Sequence, residues 1–303
     1  MRANCILVRY GEIALKGKVT RRSFERTLVH NIKKALDTTK ITYEIISMQG
    51  RVFVKTDEID EVVQVISHIF GVTSCSPVKE IDLELDALAQ QAFAIVDASI
   101  DEKQSFALRV NRSGTHDFTS QDIAVNIGAY IQKKKQVEVD LTNPDLELFI
   151  EVRNDKAYLF IQKIKGPGGM PLGTQGNILS VIESQQDILA SWYLMKRGCK
   201  IVFLIDTEAL MKQTKKFLLK WHAFLPLFIH DKTQFLNDES KHLCMKYHCG
   251  AICMGSSLDY QPEKTMQKIH DIKKYHQIPI LTPLISFNTT EIEKEYMKKG
   301  IAV

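Results

Sequence analysis

A short segment rich in glycine and proline divides this sequence into two parts with different patterns. Six of the eight residues from 166 to 173 are Gly or Pro, and neither a helix nor a strand propagates through such a composition. The segment therefore predicts a domain boundary. Because roughly 150 residues are expected per domain, a chain of 303 residues accommodates two domains, or three if some are small.

Before this boundary, hydrophobic residues recur alternately with the strand period and the helix period, which is typical of mixed α and β structure. For a first domain, residues 1–72, the pattern predicts a strand at 5–9, a helix at 20–37, strands at 43–47 and 51–55, and a helix at 59–70. This order suits a ferredoxin-like unit. A second α+β domain is predicted at 73–165, with helices at 86–99 and 120–134 and strands at 105–110, 137–141, 147–153 and 157–163.

After the boundary, short apolar strands alternate with helices through residues 174–303. Apolar strands separated by helices predict a doubly wound parallel sheet that is covered on both faces. Ligands of such folds bind beyond the carboxyl ends of the strands. The expected fold class is therefore α/β for this domain and α+β for the two that precede it.

Composition excludes several classes of protein. The chain is 45% hydrophobic and 25% charged, which is ordinary for a globular protein and unlike disordered or collagen-like chains. Apolar runs stay below the roughly 18 residues needed to span a bilayer, so we expect a cytoplasmic protein without a signal peptide or membrane partner. Six cysteines without a C-x-x-C pair favour buried thiols over a disulfide framework.

The charge is distributed unevenly along the chain. Residues 1–40 contain ten Lys or Arg against three acidic residues, a net charge of +7, whereas residues 73–165 contain 11 basic and 15 acidic residues, a net charge of −4. A polyanion would therefore meet a local basic patch and not a uniformly basic surface.

Two segments carry cations in a context that suits phosphate. The first, residues 9–22, contains two glycines and leads into a helix with the basic residues Lys16, Lys18, Arg21 and Arg22. Free N–H groups at a helix start favour an anion. A solubilising loop has the same composition, so the residues alone leave the choice open.

The second segment, residues 109–120, leaves a strand and enters a helix that Thr119 or Ser120 can cap. Arg109, Arg112 and His116 share this crossing within an otherwise acidic domain, which suits a nearby phosphate. Pairing of Arg109 with a local acid such as Asp117 is the alternative that the residues leave open.

Five motifs, in this order, make the chain resemble a known family. They are YGEIALKGK followed by RRSFE, then RVNRSGTHDFTS, NPDLELFIEV and GPGGMPLGTQG. The sequence resembles the tRNA sulfurtransferases that form 4-thiouridine, over nearly the whole chain. The resemblance implies a ferredoxin-like domain and a THUMP domain that bind tRNA, followed by a PP-loop domain, residues 174–303, that adenylates a uridine with ATP. It also assigns tRNA binding to Lys16, Lys18, Arg21, Arg22, Arg109, Arg112 and His116.

The third domain departs from the family pattern at the ATP site. The family's Ser-Gly-Gly-x-Asp-Ser loop corresponds to residues 183–188, which read ESQQDI, so only Asp187 is retained. Gly255 matches a later strand of the family, but Asn288 and Thr289 stand where the family has Asp-Lys. Glycines let backbone N–H groups close on a pyrophosphate, and Glu183 brings an unpaired carboxylate that would repel it. The resemblance also places the sulfur-transfer cysteine of some members beyond residue 303.

The sequence therefore predicts a tRNA-binding relative of the sulfurtransferases that has lost adenylation and needs no cofactor, and that recruits a partner protein to tRNA. The alternative is a divergent sulfurtransferase that binds ATP through an altered site, with Asp187 and Gly255 as its remaining contacts, or that is completed by a partner chain.

Two further residue groups are interpreted as core. Cys244, Cys249 and Cys253, together with His242 and His248, offer zinc-ligand types, but Cys253 falls in a predicted strand and Cys244 in the preceding helix, so no metal site is expected. Phe217, Leu218, Trp221 and Phe224 are likewise interpreted as a core stripe and not as a platform for stacking bases.

Overall fold

The computed structural model describes residues 3–48, 50–230, 236–259 and 262–301. The contacts between residues divide the chain into two compact units. The first unit comprises Met1–Arg9, Lys40–Gln64 and Ser74–Lys165, and the second comprises Tyr10–Thr39, Val65–Thr73 and Gly166–Val303.

The described part of the chain is built from short strands and longer helices. The strands are β1 Cys5–Tyr10, β2 Glu44–Met48, β3 Arg51–Lys55, β4 Val72–Asp82, β5 Ser105–Ser113, β6 Glu138–Val139, β7 Leu146–Arg153, β8 Lys156–Phe160, β9 Ile164–Lys165, β10 Asn177–Ile182, β11 Lys200–Ile205, β12 Leu227–Ile229, β13 Cys249–Cys253 and β14 Ile280–Leu281. The α-helices are α1 Lys18–Leu36, α2 Ile59–Ile66, α3 Leu85–Asp97, α4 Ser120–Lys135, α5 Gln185–Lys196, α6 Glu208–Lys220, α7 Leu236–Lys246, α8 Pro262–Tyr275 and α9 Thr289–Lys299, and a 3-10 helix covers Glu12–Leu15.

The first unit contains a mixed sheet in the order β2-β3-β1-β4-β8-β7-β5-β6, with β9 paired to β4. Helices α3 and α4 cover one face of the β8-β7-β5 part of this sheet. Apolar residues recur every four positions along α4, at Ile123, Ile127 and Ile131, and pack with Leu148 and Ile150 of β7 in one buried cluster. The helix predicted at 120–134 is thus observed, and its buried residues have the helical period.

The second unit contains a parallel sheet in the order β12-β11-β10-β13-β14. Alternate residues of β11 enter different cores, since Phe203 packs in the cluster of Trp192 and Leu204 in that of Leu243. Both faces of the sheet are therefore covered, and the predicted doubly wound fold is confirmed. The strand order reverses between β10 and β13, which is where such sheets open a crevice for ligands.

Some element boundaries differ from those that the sequence predicts. The helix predicted at 59–70 ends at Ile66, because the backbone tightens there into two turns in which His68 N–H donates to Val65 O and Ile69 N–H donates to Ile66 O, at 3.1 and 3.2 Å. Gly71 then takes a positive φ of 100°, which a side chain disfavours. The strand predicted at 137–141 is reduced to Glu138–Val139.

Helix α1, in the segment Tyr10–Thr39, belongs to the same compact unit as the parallel sheet. The three domains expected at residues 1–72, 73–165 and 174–303 remain a prediction. In the described part of the chain, no helix is both long and apolar enough to cross a membrane.

Candidate RNA-binding and nucleotide sites

The basic amino-terminal segment presents its cations to solvent. Lys16, Lys18, Arg21 and Arg22 are all exposed, and none of them pairs with a carboxylate of a described residue. Helix α1 begins after Gly17, which supplies no side-chain cap, and its first turn contains no acidic residue. The unsatisfied N–H groups and the cations therefore give this helix start a positive field.

The two nearby carboxylates are engaged in other contacts of the same unit. Glu12 accepts hydrogen bonds from Arg197 Nη1 at 3.1 Å, and Glu25 accepts one from the Tyr10 hydroxyl. Neither carboxylate forms an ion pair with Lys16, Lys18, Arg21 or Arg22. The segment is thus an exposed cluster of four cations that is available to a phosphate backbone.

The strand-to-helix crossing of the first unit is a hydrogen-bonded turn. Arg112 Nη1 donates to the Gly114 carbonyl at 3.0 Å and to His116 Nδ1 at 3.1 Å, while His116 Nε2 donates to the Asn154 carbonyl at 2.7 Å. Helix α4 begins after Thr119, whose hydroxyl accepts from the Asp122 N–H. The predicted cap is confirmed, and Arg112 and His116 are brought together.

Arg109 has a different environment from Arg112. Its Nε donates to Glu147 at 2.7 Å, and its Nη2 donates to the Leu141 carbonyl at 2.9 Å. The paired acid is therefore Glu147 on the neighbouring strand β7, and not Asp117, which the sequence suggested. The Nε of Arg112 is buried and has no hydrogen-bond partner among the described residues.

Asp187 lies at the crevice of the parallel sheet, in the first turn of α5. It is 4% exposed, and its Oδ2 accepts the backbone N–H groups of Glu183 and Ser184 at 3.1 and 2.9 Å. Its Oδ1 accepts the Gly255 N–H at 2.7 Å. Burial raises the pKa of Asp187, and the charge of Lys268 and these hydrogen bonds act in the opposite direction. The carboxylate caps α5 and ties it to the end of β13.

The sequence-based interpretation of Glu183 as an unpaired carboxylate is wrong. Glu183 forms an ion pair with Lys268 of α8. Both side chains border a cavity of about 620 Å³ at the carboxyl ends of β10 and β13. Lys268 thus places a cation beside the position where the family loop begins.

Thr289 borders the same cavity. Its N–H and its hydroxyl both donate to Asp259 Oδ2 at 2.9 Å, and Asn288 caps helix α9 by accepting the Glu291 N–H at 2.9 Å. Where the family pattern has Asp-Lys, this chain therefore has a helix cap and a neutral hydroxyl.

The groups around this cavity do not fit an ATP polyphosphate. A phosphate cradle requires backbone N–H groups that point at the ligand, but those of Glu183, Ser184 and Gly255 donate to Asp187. The Glu183 carboxylate at the cavity rim would repel a phosphate, and its ion pair would have to open to release Lys268. These three donors bind the buried carboxylate of Asp187.

The cysteines of the second unit lie where the sequence predicts. Cys244 is on α7, and Cys249 and Cys253 are buried on β13. In the ranges that the structure describes, no group of three metal-ligating side chains comes together.

The interpretation of Phe224 as core is wrong, although its three companions are core residues. Phe217, Leu218 and Trp221 are 2%, 5% and 7% exposed, whereas Phe224 is 38% exposed. The helical spacing that places the first three on one face does not extend to Phe224, because α6 ends at Lys220.

Sequence reasoning missed Lys268 and Glu147 as ion-pair partners. Each is far along the chain from its partner, and a single sequence contains no signal for such tertiary pairs. It also missed the basic spacing along α1, where Lys18, Arg22, Arg26, His30 and Lys34 recur every four residues. That signal was readable, because residues four apart share a helix face.

Two family profiles match the amino-terminal half of the chain. The ThiI ferredoxin-like domain matches residues 5–76, and the THUMP domain matches residues 83–162.

Among solved structures, that of PH1313 from Pyrococcus horikoshii is similar, with a TM-score of 0.85, 28% identity and coverage of 98% of this chain and 99% of that one. A 4-thiouridine synthetase in complex with RNA and bound ATP has the same fold, with a TM-score of 0.81, 22% identity and coverage of 99% and 85% of the two chains.

Similar sequences extend over nearly the whole chain. A probable tRNA sulfurtransferase of Methanobrevibacter smithii is 32% identical over 332 residues, which cover 97% of this chain and 86% of the relative. One of Methanothermobacter thermautotrophicus is 32% identical over 325 residues, which cover 95% and 82%. The ordered motifs, the two domain profiles and this similarity along the chain make the protein a member of the tRNA sulfurtransferase family.

Proposed function

We propose that this protein binds tRNA and does not itself adenylate it. The observation that carries the proposal is the Asp187 carboxylate, which accepts three backbone N–H groups at the crevice of the parallel sheet. Two of those groups lie in the loop after β10, which corresponds to the family's Ser-Gly-Gly-x-Asp-Ser loop, and the third lies just after β13.

The tRNA part of the proposal rests on membership of the family, on the THUMP match and on the exposed cations at the start of α1. RNA helices are recognised mainly through phosphate, 2′-OH and shape contacts. A local cluster such as Lys16, Lys18, Arg21 and Arg22 supplies such contacts, even though the whole chain has a net charge of only +4. Arg112 and His116 are proposed as further contacts, with Arg109 contributing if its pair with Glu147 opens.

The proposed loss of adenylation is supported by the large rate contributions of the groups that this chain lacks. One preorganised donor aimed at developing charge is worth about 10² to 10³ in rate. In this chain the loop glycines are absent, Thr289 stands in place of the lysine, and the backbone N–H groups of Glu183, Ser184 and Gly255 bind Asp187. Recruitment of a partner protein to tRNA is the role that we propose for a family member of this kind.

Thermal unfolding with each ligand tests both parts. A ligand that binds only the folded state raises the melting temperature by mass action. We expect bulk tRNA to raise the melting temperature and Mg-ATP to leave it unchanged. A rise with ATP would contradict the loss of nucleotide binding, and the absence of a rise with tRNA, confirmed by filter binding, would remove the RNA role.

A second candidate, a divergent sulfurtransferase, is favoured by one observation. A cavity is present at the crevice of the parallel sheet, and Lys268 borders it. If Glu183 releases this lysine, the ammonium group is positioned to neutralise a phosphate. In that case Glu183→Gln would increase ATP binding and Lys268→Ala would abolish it, whereas the proposal of a non-adenylating protein predicts no ATP binding by the parent or by either variant.

A further inference from the structure

A groove of the second unit lies away from the crevice that holds Asp187. It encloses about 670 Å³ between one face of α1 and the amino-terminal end of the parallel sheet, a volume within the range of ligand sites. Asn177 and Lys200, the first residues of β10 and β11, border it. Ligands of the crevice and of this groove would therefore bind at opposite ends of the strands.

The charge of the groove has one sign. Arg26, His30, Lys34, Lys200 and His222 line it, and no described residue of the lining is acidic. Burial lowers the pKa of His222, and the nearby His68 lowers it further, so Arg26, Lys34 and Lys200 supply the positive charge at neutral pH. None of these three cations pairs with a carboxylate of a described residue. The lining therefore suits an anion.

The groove also has an accessible aromatic ring. Phe224, which is 38% exposed, lines it, and Lys34 Nζ lies 4.9 Å from the centre of the ring. An exposed ring beside a cation offers stacking to a planar group and charge to a phosphate. These two recognition elements together are those that single-stranded nucleic-acid sites use.

A stripe of basic residues connects the groove with the start of α1. Lys18, Arg22, Arg26, His30 and Lys34 recur every four residues, so consecutive members are neighbours on the helix surface, and the row winds by about 160° around α1. The first two belong to the segment proposed to contact tRNA, and the last three line the groove. At about 1.5 Å per residue, the stripe is about 24 Å long.

We propose that this groove binds an unpaired nucleotide of RNA, with the base against Phe224 and the phosphates along Arg26, Lys34 and Lys200. The inference rests on the proposed RNA-binding function and adds to it a site for a single-stranded stretch. A base that is already paired and stacked in a duplex cannot present its face to Phe224, so the groove selects unpaired RNA over duplex RNA.

Two groove variants separate stacking from charge. Phe224→Leu keeps an apolar side chain but removes the ring. Loss of stacking of about 1–3 kcal/mol per base should weaken binding about 5- to 150-fold and leave the salt slope unchanged. Lys34→Ala with Lys200→Ala removes two phosphate contacts, which lowers the salt slope by about 1.4 units for a single strand.

The probe is a labelled single-stranded oligoadenylate followed by fluorescence anisotropy over a range of salt concentrations, with blunt duplex RNA, AMP and bulk tRNA as the other ligands. Matched controls are Tyr275→Leu, an exposed ring on α8, and Lys33→Ala with Lys216→Ala, two exposed lysines outside the groove. Circular dichroism confirms that each variant is folded.

We expect the groove variants to weaken oligoadenylate binding and the control variants to match the parent. Equal binding by the groove and control variants would overturn the inference while leaving tRNA binding intact, as would groove-dependent binding of AMP without the oligonucleotide. A parent protein that binds neither tRNA nor oligoadenylate would refute the proposed function and this inference together.

Discussion

Asp187 and Gly255, two residues that this chain shares with the family pattern at the nucleotide site, have a structural explanation. A Cβ on Gly255 would lie 2.4 Å from the backbone carbonyl carbon of Gln186 and 2.5 Å from the nitrogen of Asp187. The backbone at the start of α5 thus lies directly against the backbone at Gly255, just after β13. Asp187 Oδ1 accepts the Gly255 N–H at the same place. Retention of both residues requires no catalysis.

We predict that Gly255→Ala lowers the free energy of unfolding by about 1–3 kcal/mol, the usual cost of overpacking, because the clashing atoms are backbone and cannot rotate away. Gly250→Ala is the matched control, since nothing lies within 4 Å of a Cβ at that position. Urea denaturation measures both variants. Equal stability of the two would show that α5 and β13 are not in this close contact.

At Arg112, a change of charge sign distinguishes an RNA contact from a purely structural arginine. Arg112→Glu should weaken tRNA binding more than Arg112→Ala, because the carboxylate adds repulsion to the loss of a contact. Lys103→Ala and Lys103→Glu, at an exposed site of the same unit, control for the change in net charge. If both Arg112 variants are folded and bind tRNA like the parent in filter binding, Arg112 does not contact RNA.

For helices and strands, signals from neighbouring residues predicted the features that depend on local sequence. Features that depend on turn geometry or tertiary contacts were not predicted. The cap at Thr119 and the strand at Cys253 follow from neighbouring residues, and both are confirmed. The premature end of α2 depends on turn geometry that periodicity does not reveal. Phe224 was assigned to the core because helical spacing was extended past Lys220, where the helix ends.

The start of α1 is the element on which tRNA affinity should depend. Replacing Lys16, Lys18, Arg21 and Arg22 with alanine removes up to four phosphate contacts, so we expect weaker binding and a salt slope reduced by up to about three units. The control replaces Lys212, Lys215, Lys216 and Lys220, four exposed lysines of α6, and should retain the parent's slope. An unchanged affinity and slope in the first variant would refute this RNA surface.

For the whole molecule, the sequence predicted the fold class because helices and strands have different hydrophobic periods. Alternate residues of β11 enter different cores, whereas the buried residues Ile123, Ile127 and Ile131 of α4 recur every four positions. The nucleotide site was predictable only in part. Missing glycines are visible in a sequence, but the pairing of Glu183 with Lys268 and the use of three N–H groups by Asp187 arise from folding.

We propose that this member of the sulfurtransferase family does not adenylate tRNA, and an ATP–pyrophosphate exchange assay with bulk tRNA measures that step. An active family member serves as the positive control. We expect no exchange above background from the purified chain, nor from the triple variant Glu183→Ser, Ser184→Gly and Gln185→Gly, because Thr289 still lacks an amine. Clear tRNA-dependent exchange by the unmodified chain would refute the loss of adenylation and establish a divergent sulfurtransferase.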